Sequence, residues 1–382
     1  MHKHKQSQCK RKVKHRKNVM GLIIFCITVC IVFMFAYYQN LRKEISVRQE
    51  WLETVLTREK KWILENQGPE GEIYMNGSKA GDVNPYFACM AALGLLAETK
   101  NCLITETEKK AVNRYLDWHT GILLETDGKM GIYRKKSGKL IYKEKADSED
   151  GYLGMYLFLM GKYLEKTEST DLPESWKNGI SLALKKIQSL MQDGITQVSE
   201  ENTTVYLMDN LEVWKGLYEL EHAGLKDVQA IREMCNKLQA QIEKLFWDDA
   251  NQRWRIIENS DLYHQKEFYP DGVAQIYPLI YEFPVKEKKK QKILYDQFTE
   301  KFQWQKLNKK RNGFLWAMTG MTAAQMGDIN NLVELIGNYE TEYGENRKYP
   351  LYTGEAGWIC MECEKLYRLY ERKIKTGFIL CA

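Results

Sequence analysis

Hydrophobic residues recur along most of the chain at helical spacing, in two alternating kinds of segment. Residues 226–247 place apolar side chains three or four positions apart, which predicts an amphipathic helix with one solvated face. Residues 150–164 are apolar on nearly all sides, which predicts a helix buried on most of its surface. Amphipathic segments are predicted near 48–66, 105–119, 173–192, 226–247, 286–303 and 329–343, and a more apolar segment follows each, near 84–98, 150–164, 209–222, 271–283, 315–326 and 355–371.

These six pairs predict an all-α domain of six helical hairpins. If the second helix of each hairpin turns inward, the hairpins close into a double ring, an (α/α)6 toroid. The alternative is an open solenoid, whose ends need polar caps. We favour the closed ring because the pairs number six and the loops before the inner helices are long. Such loops would gather at one end of the ring and form a cleft.

Positive charge is concentrated at the N-terminus. Residues 1–17 contain eight Lys or Arg and no acid, whereas the remaining chain has 48 basic and 51 acidic residues. The excess positive charge therefore belongs to a tail, and no nucleic-acid partner is expected.

A membrane-spanning helix is predicted directly after this tail. Residues 19–38 are twenty positions without a charge, long enough to cross a hydrocarbon core of ~30 Å. A cleaved signal peptide is the alternative, but the run lacks a small-residue cleavage site. The basic flank predicts a cytoplasmic tail (1–18), a transmembrane signal anchor (19–38), and a toroid domain (45–382) outside the cell membrane.

The cysteines and histidines do not indicate a metal or redox site. The nine cysteines show no disulfide-framework spacing. Cys360 and Cys363 form a C-x-x-C inside a helical pattern, without a second pair or a nearby histidine, so buried helix cysteines are expected. Three of the six histidines lie in the tail. We therefore expect no metal and no cofactor.

Acidic residues mark the starts of five of the six predicted inner helices. Helix capping is one explanation, because Asp is a preferred N-cap, and Asp209 with Glu212 matches a capping box. A carboxylate site is the other, because all inner helices of a toroid begin at the same rim. Crowded carboxylates there would raise the pKa of some members. The five acids are Asp82, Asp150, Asp209, Asp271 and Glu355, and the first long loop adds Glu70 and Glu72.

The stretch DSED at 147–150 supplies more acid than one cap requires. We expect Asp147, Ser148 or Glu149 to cap the helix and Asp150 to face the cleft. Aromatic residues lie beside the same helix starts, and their flat rings suit the apolar faces of sugars. Tyr156 and Trp214 lie deeper in their helices and are predicted core residues. The predicted substrate-binding residues are Tyr74, Tyr86, Asp82, Tyr152, Tyr269, Tyr352 and Glu355.

The segment ADSEDGYLGMYLFLM at 146–160 is similar to the inner-helix start A-T/S-D-x-D-φ-x-I-A-Y-x-L-L of glycoside hydrolase family 8. The chain resembles six-hairpin glycosidases, and this family is the nearest. The resemblance implies glycoside hydrolysis by two carboxyl groups, with inversion and a separation of ~6.5–9.5 Å. The family's general-acid element, S-E-G-x-x-Y-G-M, has no matching Glu at 81–96. The catalytic candidates are Asp150, Glu72, Asp271, Glu70 and Asp209, with Glu70, Glu72 or Asp82 as the source of the acid.

Two classes of function remain open. One is a membrane-anchored, extracytoplasmic glycoside hydrolase acting on a poly- or oligosaccharide; a polysaccharide lyase using His264 beside Tyr263 and Tyr269 is a variant of it. The other is a non-catalytic glycan-binding or scaffold protein of the cell envelope. Two carboxylates facing each other across the cleft would favour the enzyme, and an aromatic pocket with one acid would favour binding. The expected partners are a carbohydrate and the membrane.

Overall fold

The structure is a computed structural model that describes residues 2–77, 81–136, 139–169, 171–258, 260, 267–286, 288–307 and 313–381. The chain forms two compact units. One is Leu52–Leu366, and the other is Met1–Trp51 with Tyr367–Ala382.

Helices dominate the described residues, so the prediction of an all-α fold is confirmed. Each segment predicted from the hydrophobic pattern contains a helix. The helices are α1 His2–Glu65, α2 Pro85–Leu95, α3 Glu106–Glu125, α4 Glu149–Thr167, α5 Glu174–Leu190, α6 Leu207–His222, α7 Gln229–Phe246, α8 Val273–Ile280, α9 Lys288–Phe302, α10 Gly320–Met326, α11 Ile329–Tyr343 and α12 Thr353–Cys381, with short helical turns at Phe268–Gly272, Trp304–Lys306 and Ala317–Thr319.

The even-numbered helices form the inner ring of the larger unit. Along the ring, α4 contacts α2 and α6, and α8 contacts α6 and α10. Helix α12 closes it, because Gly357 lies directly against Gly94 of α2 while Glu362 lies against Gly320 of α10. The odd-numbered helices pack outside, and Lys60 at the end of α1 pairs with α3. The predicted (α/α)6 toroid is confirmed.

Helices α4 and α6 approach each other closely through glycines. A Cβ atom added to Gly154 would lie 2.7 Å from the carbonyl carbon of Glu212, and one added to Gly161 would lie 2.5 Å from that of Glu219. A Cβ on Gly216 would overlap the carbonyl oxygen of Gly154. Any side chain at these positions therefore pushes one backbone away from the other.

The substitution Gly154→Ala is expected to destabilise the fold by about 2 kcal/mol, because overpacking forces backbone shifts. Urea unfolding of the full-length protein in detergent micelles measures this difference. The matched control is Gly337→Ala, since Gly337 lies within α11 and a Cβ there meets no atom within 4 Å. That control is expected to be neutral or slightly stabilising, because alanine favours helices. Equal stability of the two variants would contradict tight packing at Gly154.

Buried residues of the inner helices agree with two predictions. Tyr156 and Trp214 are fully buried, as expected of core residues. Cys360 and Cys363 are also buried and carry free thiols, which confirms that the C-x-x-C consists of buried helix cysteines.

Ion pairs link α6 and α12 to the end of α8. Glu282, two residues after α8, pairs with Lys215 of α6 at 3.0 Å and with Lys365 of α12. Burial alone would raise the pKa of Glu282, but the two ammonium groups lower it to about 2. This carboxylate is therefore ionised over the neutral range.

Short strands occupy the loops between helices. Strand β2 (Gly131–Lys136) pairs antiparallel with β1 (Asp82–Val83) and with β3 (Lys139–Lys145), so β3 is an edge strand. We call β2 and β3 together the rim hairpin. Two small antiparallel pairs follow, β4 (Met191–Gln192) with β5 (Ile195–Thr196), and β6 (Trp247–Asp248) with β7 (Arg253–Trp254).

The smaller unit contains the apolar part of α1. Among the described residues, Leu22–Glu65 is the one helix that is long and apolar enough, by length and composition, to cross a membrane. Its most apolar 18-residue window has a mean hydropathy of 2.2 and no buried residue. Orientation and the boundaries of the predicted tail, anchor and domain stay predictions.

Candidate functional site

A cavity of ≈ 700 Å³ lies where the inner helices begin. Side chains at or near the starts of all six inner helices reach it, since a toroid brings those starts to one rim. The rim hairpin also contributes. The chemically distinctive lining residues are Asp82, Asn84, Tyr86, Phe87, Lys143, Glu144, Lys145, Asp147, Tyr152, Asp209, Glu212, Tyr269, Tyr277, Phe314, Trp316, Tyr352, Glu355 and Trp358.

Glu212 is the most buried acid in this lining, with 3% of its surface exposed. Its Oε1 accepts hydrogen bonds from the hydroxyls of Tyr277, at 2.6 Å, and of Tyr86. Burial raises the pKa of Glu212 to about 8, although the two phenol bonds oppose that rise. Glu212 therefore carries a proton at neutral pH. Because the phenols occupy Oε1, we assign the proton to Oε2.

Asp209 lies one turn before Glu212 on α6 and also lines the cavity. Burial, and then the charges of Asp150 and Glu212, raise its pKa well above the usual value. The capping-box alternative for Asp209 and Glu212 is excluded. Helix α6 begins at Leu207 with Tyr206 as its N-cap, so Asp209 lies within the first turn and is not the cap.

Asp150 does not reach the cavity, contrary to the prediction. It is fully buried, and its Oδ2 accepts a bond of 2.7 Å from the hydroxyl of Thr196. Its Oδ1 accepts from the hydroxyl of Ser148 at 2.8 Å. Burial raises the pKa of Asp150 to about 6.

The cap of α4 is Ser148, as one alternative predicted. Asp147 lines the cavity, and Glu149 pairs with Lys145.

The acids of the first long loop also lie away from the cavity. Glu72 is buried, and its two oxygens accept bonds of 2.9 Å from the Tyr74 hydroxyl and the Glu70 amide. Tyr74 is itself fully buried, so its predicted place in the cleft is wrong. Glu70 is exposed at the surface.

Asp271, in the turn before α8, is buried outside the cavity lining. The predicted catalytic placement of Glu70, Glu72 and Asp271 is therefore corrected.

Asp82 lines the cavity as an ion-paired carboxylate. It accepts bonds from Arg134 at 2.6 Å and from Lys143 at 2.9 Å. The hydrogen bond from Arg134 is the main cause that holds the pKa of Asp82 below its usual value. An acid with a lowered pKa carries no proton near neutrality, so Asp82 does not fit the role of general acid.

Glu355 enters the lining from the first turn of α12. Its Oε1 accepts hydrogen bonds from the backbone N–H groups of Leu315 and Trp316, both at 3.1 Å. Its Oε2 accepts a hydrogen bond from the backbone N–H of Ala317 at 2.9 Å. Burial raises the pKa of Glu355 to about 7 against these three bonds. In the ring, α12 lies three helices from α6 in either direction, so Glu355 and Glu212 stand on opposite sides.

Aromatic rings form much of the wall between these acids. Phe87 and Phe314 are stacked, with centroids 5.5 Å apart and planes 14° apart. Tyr269 lies against Trp316 with centroids 4.8 Å apart. Their faces can pack on sugar rings. The predicted residues Tyr86, Tyr152, Tyr269 and Tyr352 all line the cavity, whereas His264 and Tyr263 lie outside the described residues.

The sequence did not predict that Glu212, Asp147 and Tyr277 would line the cavity. Glu212 and Asp147 were interpreted as helix-capping residues, and Tyr277 as part of an apolar helix. A signal for Glu212 exists. In LMDNLEVW it lies between Leu211 and Val213, in an inner-helix segment where burial is expected on most sides.

Six helical hairpins in a closed ring define the fold class, an (α/α)6 toroid, and solved structures of glycosidases share this fold. Among solved structures, a wild-type glycosidase matches with a TM-score of 0.60 and 11% identity, over 84% of this chain and 98% of that one. A glycosidase variant in complex with glucose matches at 0.58 and 11%, over 86% and 98%. A novel alpha-amylase from Clostridium perfringens matches at 0.50 and 12%, over 82% and 97%.

At these identities the likeness shows the fold. No protein-family model matches the sequence, and no curated protein matches it.

Proposed function

We propose that this chain is a membrane-anchored glycoside hydrolase that acts outside the cell membrane on a poly- or oligosaccharide. The observation that carries the proposal is the pair Glu212 and Glu355, on opposite sides of one aromatic-lined cavity. The similarity of the fold to glycosidases, one of them in complex with glucose, supports a carbohydrate substrate.

The two acids suit the two roles of glycoside hydrolysis. Glu212 holds a proton at neutral pH, so its Oε2 can protonate the leaving glycosidic oxygen. Glu355 has the lower pKa and is held in place by three backbone N–H groups. Its Oε2 accepts one of these and keeps a lone pair for a water molecule. Placement on opposite sides of the cavity favours attack by that water with inversion.

Other lining residues would orient the sugar. Tyr86 and Tyr277 hold the Glu212 carboxyl group through Oε1. Asp209, whose pKa is raised by burial and then by the charges of Asp150 and Glu212, lines the same cavity and can hydrogen-bond a sugar hydroxyl.

The segment at 146–160 resembles an inner-helix start of glycoside hydrolase family 8. Asp150 occupies the motif's second Asp position, but its bonds to Thr196 and Ser148 point to a supporting role. In this chain Asp150 would fix the start of α4, and Asp147 would present a carboxyl group to the substrate.

A second candidate function is glycan binding without hydrolysis. The observation that favours it is the absence of a glutamate at the first inner helix, where Tyr86 and Phe87 stand instead. The same cavity would then hold a sugar through its aromatic wall.

Full-length protein in detergent micelles, incubated with a panel of neutral and acidic polysaccharides, tests the proposal. The expected result is the appearance of new reducing ends. Proton NMR should show that the product is first released with inverted anomeric configuration. Binding of a polysaccharide without any cleavage would contradict hydrolysis and support the second candidate.

The membrane topology is also testable. Protease added to intact cells is expected to remove the domain after residue 38 and to spare residues 1–17, because the basic flank retains the N-terminus inside. Antibodies to a tag at each end would follow both fragments, and permeabilised cells are the control. Protection of the large domain in intact cells would contradict this orientation.

A further inference from the structure

The rim hairpin carries a strong local positive charge. Between Gly131 and Lys145 the chain has six Lys or Arg and one acid, whereas the chain after residue 17 as a whole has slightly more acids than bases. The six are Arg134, Lys135, Lys136, Lys139, Lys143 and Lys145.

Part of this charge, on Lys143 and Lys145, reaches the cavity, while the other four cations lie elsewhere on the hairpin. Ile132 of β2 and Lys143, Glu144 and Lys145 of β3 line the cavity directly. Strand β3 is an edge strand whose side chains are exposed at nearly every position. A chain-like ligand that reaches into the cavity would therefore pass along this strand.

Part of the charge is not neutralised by the protein. Arg134 and Lys143 share Asp82, and Lys145 pairs with Glu149 and Glu201. The other three cations of the hairpin form no ion pair with an acid among the residues that the structure describes. They are Lys135, which lies over the Tyr74 ring at 5.5 Å, and the exposed residues Lys136 and Lys139.

The cavity beyond the hairpin does not oppose an anion as strongly as its acids suggest. Burial raises the pKa of Glu212 to about 8, so this acid is protonated near neutrality, and the pKa of Asp209 is also raised. Tyr142, with 57% of its surface exposed, lies on β3 beside Lys143 and offers a ring for sugar stacking. Cations on the hairpin, an aromatic wall and a protonated Glu212 within the cavity suit a sugar chain that bears negative groups.

We propose that the substrate is an anionic glycan, whose carboxylate or phosphate groups bind the rim hairpin while a sugar ring occupies the cavity. This inference rests on the proposed function of the cavity as a carbohydrate site. The hairpin raises the local concentration of an anionic polymer through Coulomb attraction, which salt screens. A glycan is favoured over a lipid surface because the charged strand continues into the cavity.

Binding to matched polymers tests the inference. Polygalacturonate and its methyl ester share a backbone but differ in charge, and phosphorylated and plain amylose form a second pair that separates phosphate from carboxylate. Full-length protein in micelles is expected to bind at least one charged polymer about tenfold more tightly than its neutral counterpart at low salt. This preference should shrink as salt approaches about 0.5 M.

The triple variant K135Q/K136Q/K139Q is expected to lose most of the preference. The matched control is K288Q/K289Q/K292Q, which removes three exposed lysines from α9 and should keep the preference. Equal binding of charged and neutral polymers by the wild type, no binding to either, or an unchanged preference in the hairpin variant would each overturn the inference.

Two further outcomes separate the possible failures. If the hairpin variant loses binding only to phosphatidylserine vesicles, the hairpin faces lipid and the inference is overturned. If hairpin-dependent glycan binding is found but no polysaccharide is cleaved, the proposed hydrolase activity fails while the anionic-glycan inference holds.

Discussion

Replacing Glu212 with glutamine is expected to slow glycoside hydrolysis by about 10²–10⁴-fold, the usual contribution of a general acid. Glutamine has the same shape as a neutral glutamic acid, and its amide oxygen can still accept hydrogen bonds from the hydroxyls of Tyr86 and Tyr277. It cannot give a proton to a leaving oxygen. The variant should therefore fold normally and bind substrate, with the loss in kcat and little change in KM.

The control for this prediction is Glu221→Gln. Glu221 lies on the same helix, and its partner is the half-exposed Arg232, so this change should leave hydrolysis nearly unchanged. Rates on a substrate with an activated leaving group add a second readout, since such a group needs less protonation. If Glu212→Gln hydrolyses ordinary substrate at the wild-type rate, Glu212 is not the acid.

Stability is expected to fall as the pH rises from about 5 to 8.5. Burial raises the pKa of Asp150 to about 6 and that of Glu212 to about 8, while both are near 4 in an unfolded chain. The folded protein thus binds protons that the unfolded chain releases. Their contribution to stability is complete below pH 4 and is lost as the pH passes 6 and then 8.

Glu282 changes the stability of the fold with pH in the opposite direction. Its pKa is about 2 in the folded protein, so its contribution is present above its unfolded pKa and is lost as the pH falls toward 2. The two effects together place the highest stability near pH 4–5.

The thermal midpoint at pH 5 and at pH 8.5 measures this dependence. For Glu212 alone the difference is on the order of 4 kcal/mol, from the size of its pKa shift. Glu212→Gln should therefore reduce the difference between the two pH values, and Glu221→Gln should keep the wild-type difference. Identical pH profiles for all three proteins would contradict a protonated Glu212 in the folded state.

The ring of hairpins was predictable because hydrophobic spacing reports burial one helix at a time. Six alternating segments indicated six inner helices, and the glycine contact between Gly94 and Gly357 completes the ring that the count implied. Sequence also indicated which end of the ring would carry the site, because acids and aromatics cluster at the inner-helix starts. The four tyrosines of that set that line the cavity all lie at or just before such starts.

The roles of individual acids were less predictable, because a shift of one position changes which way a helical side chain points. At 147–150, capping falls to Ser148, so Asp147 projects into the cavity and Asp150 turns into the core. At α6 the helix begins at Leu207, two residues before Asp209, which removes the capping box and places Glu212 at the cavity. Glu72 was misplaced because nothing in the sequence shows that Tyr74 would turn inward and bind it.

The glycines between α4 and α6 determine more than packing. By letting two backbones nearly touch, Gly154 and Gly216 bring Asp150, Asp209 and Glu212 close together, where the charge of Asp150 disfavours ionisation of the other two. A Cβ on Gly151 would lie 2.6 Å from Oε2 of Glu212 itself. The raised pKa values of these acids therefore depend on the close approach of α4 and α6. A methyl group at Gly154 or Gly216 would separate the two helices, admit water and lower the pKa of Glu212 toward that of an ordinary carboxyl group.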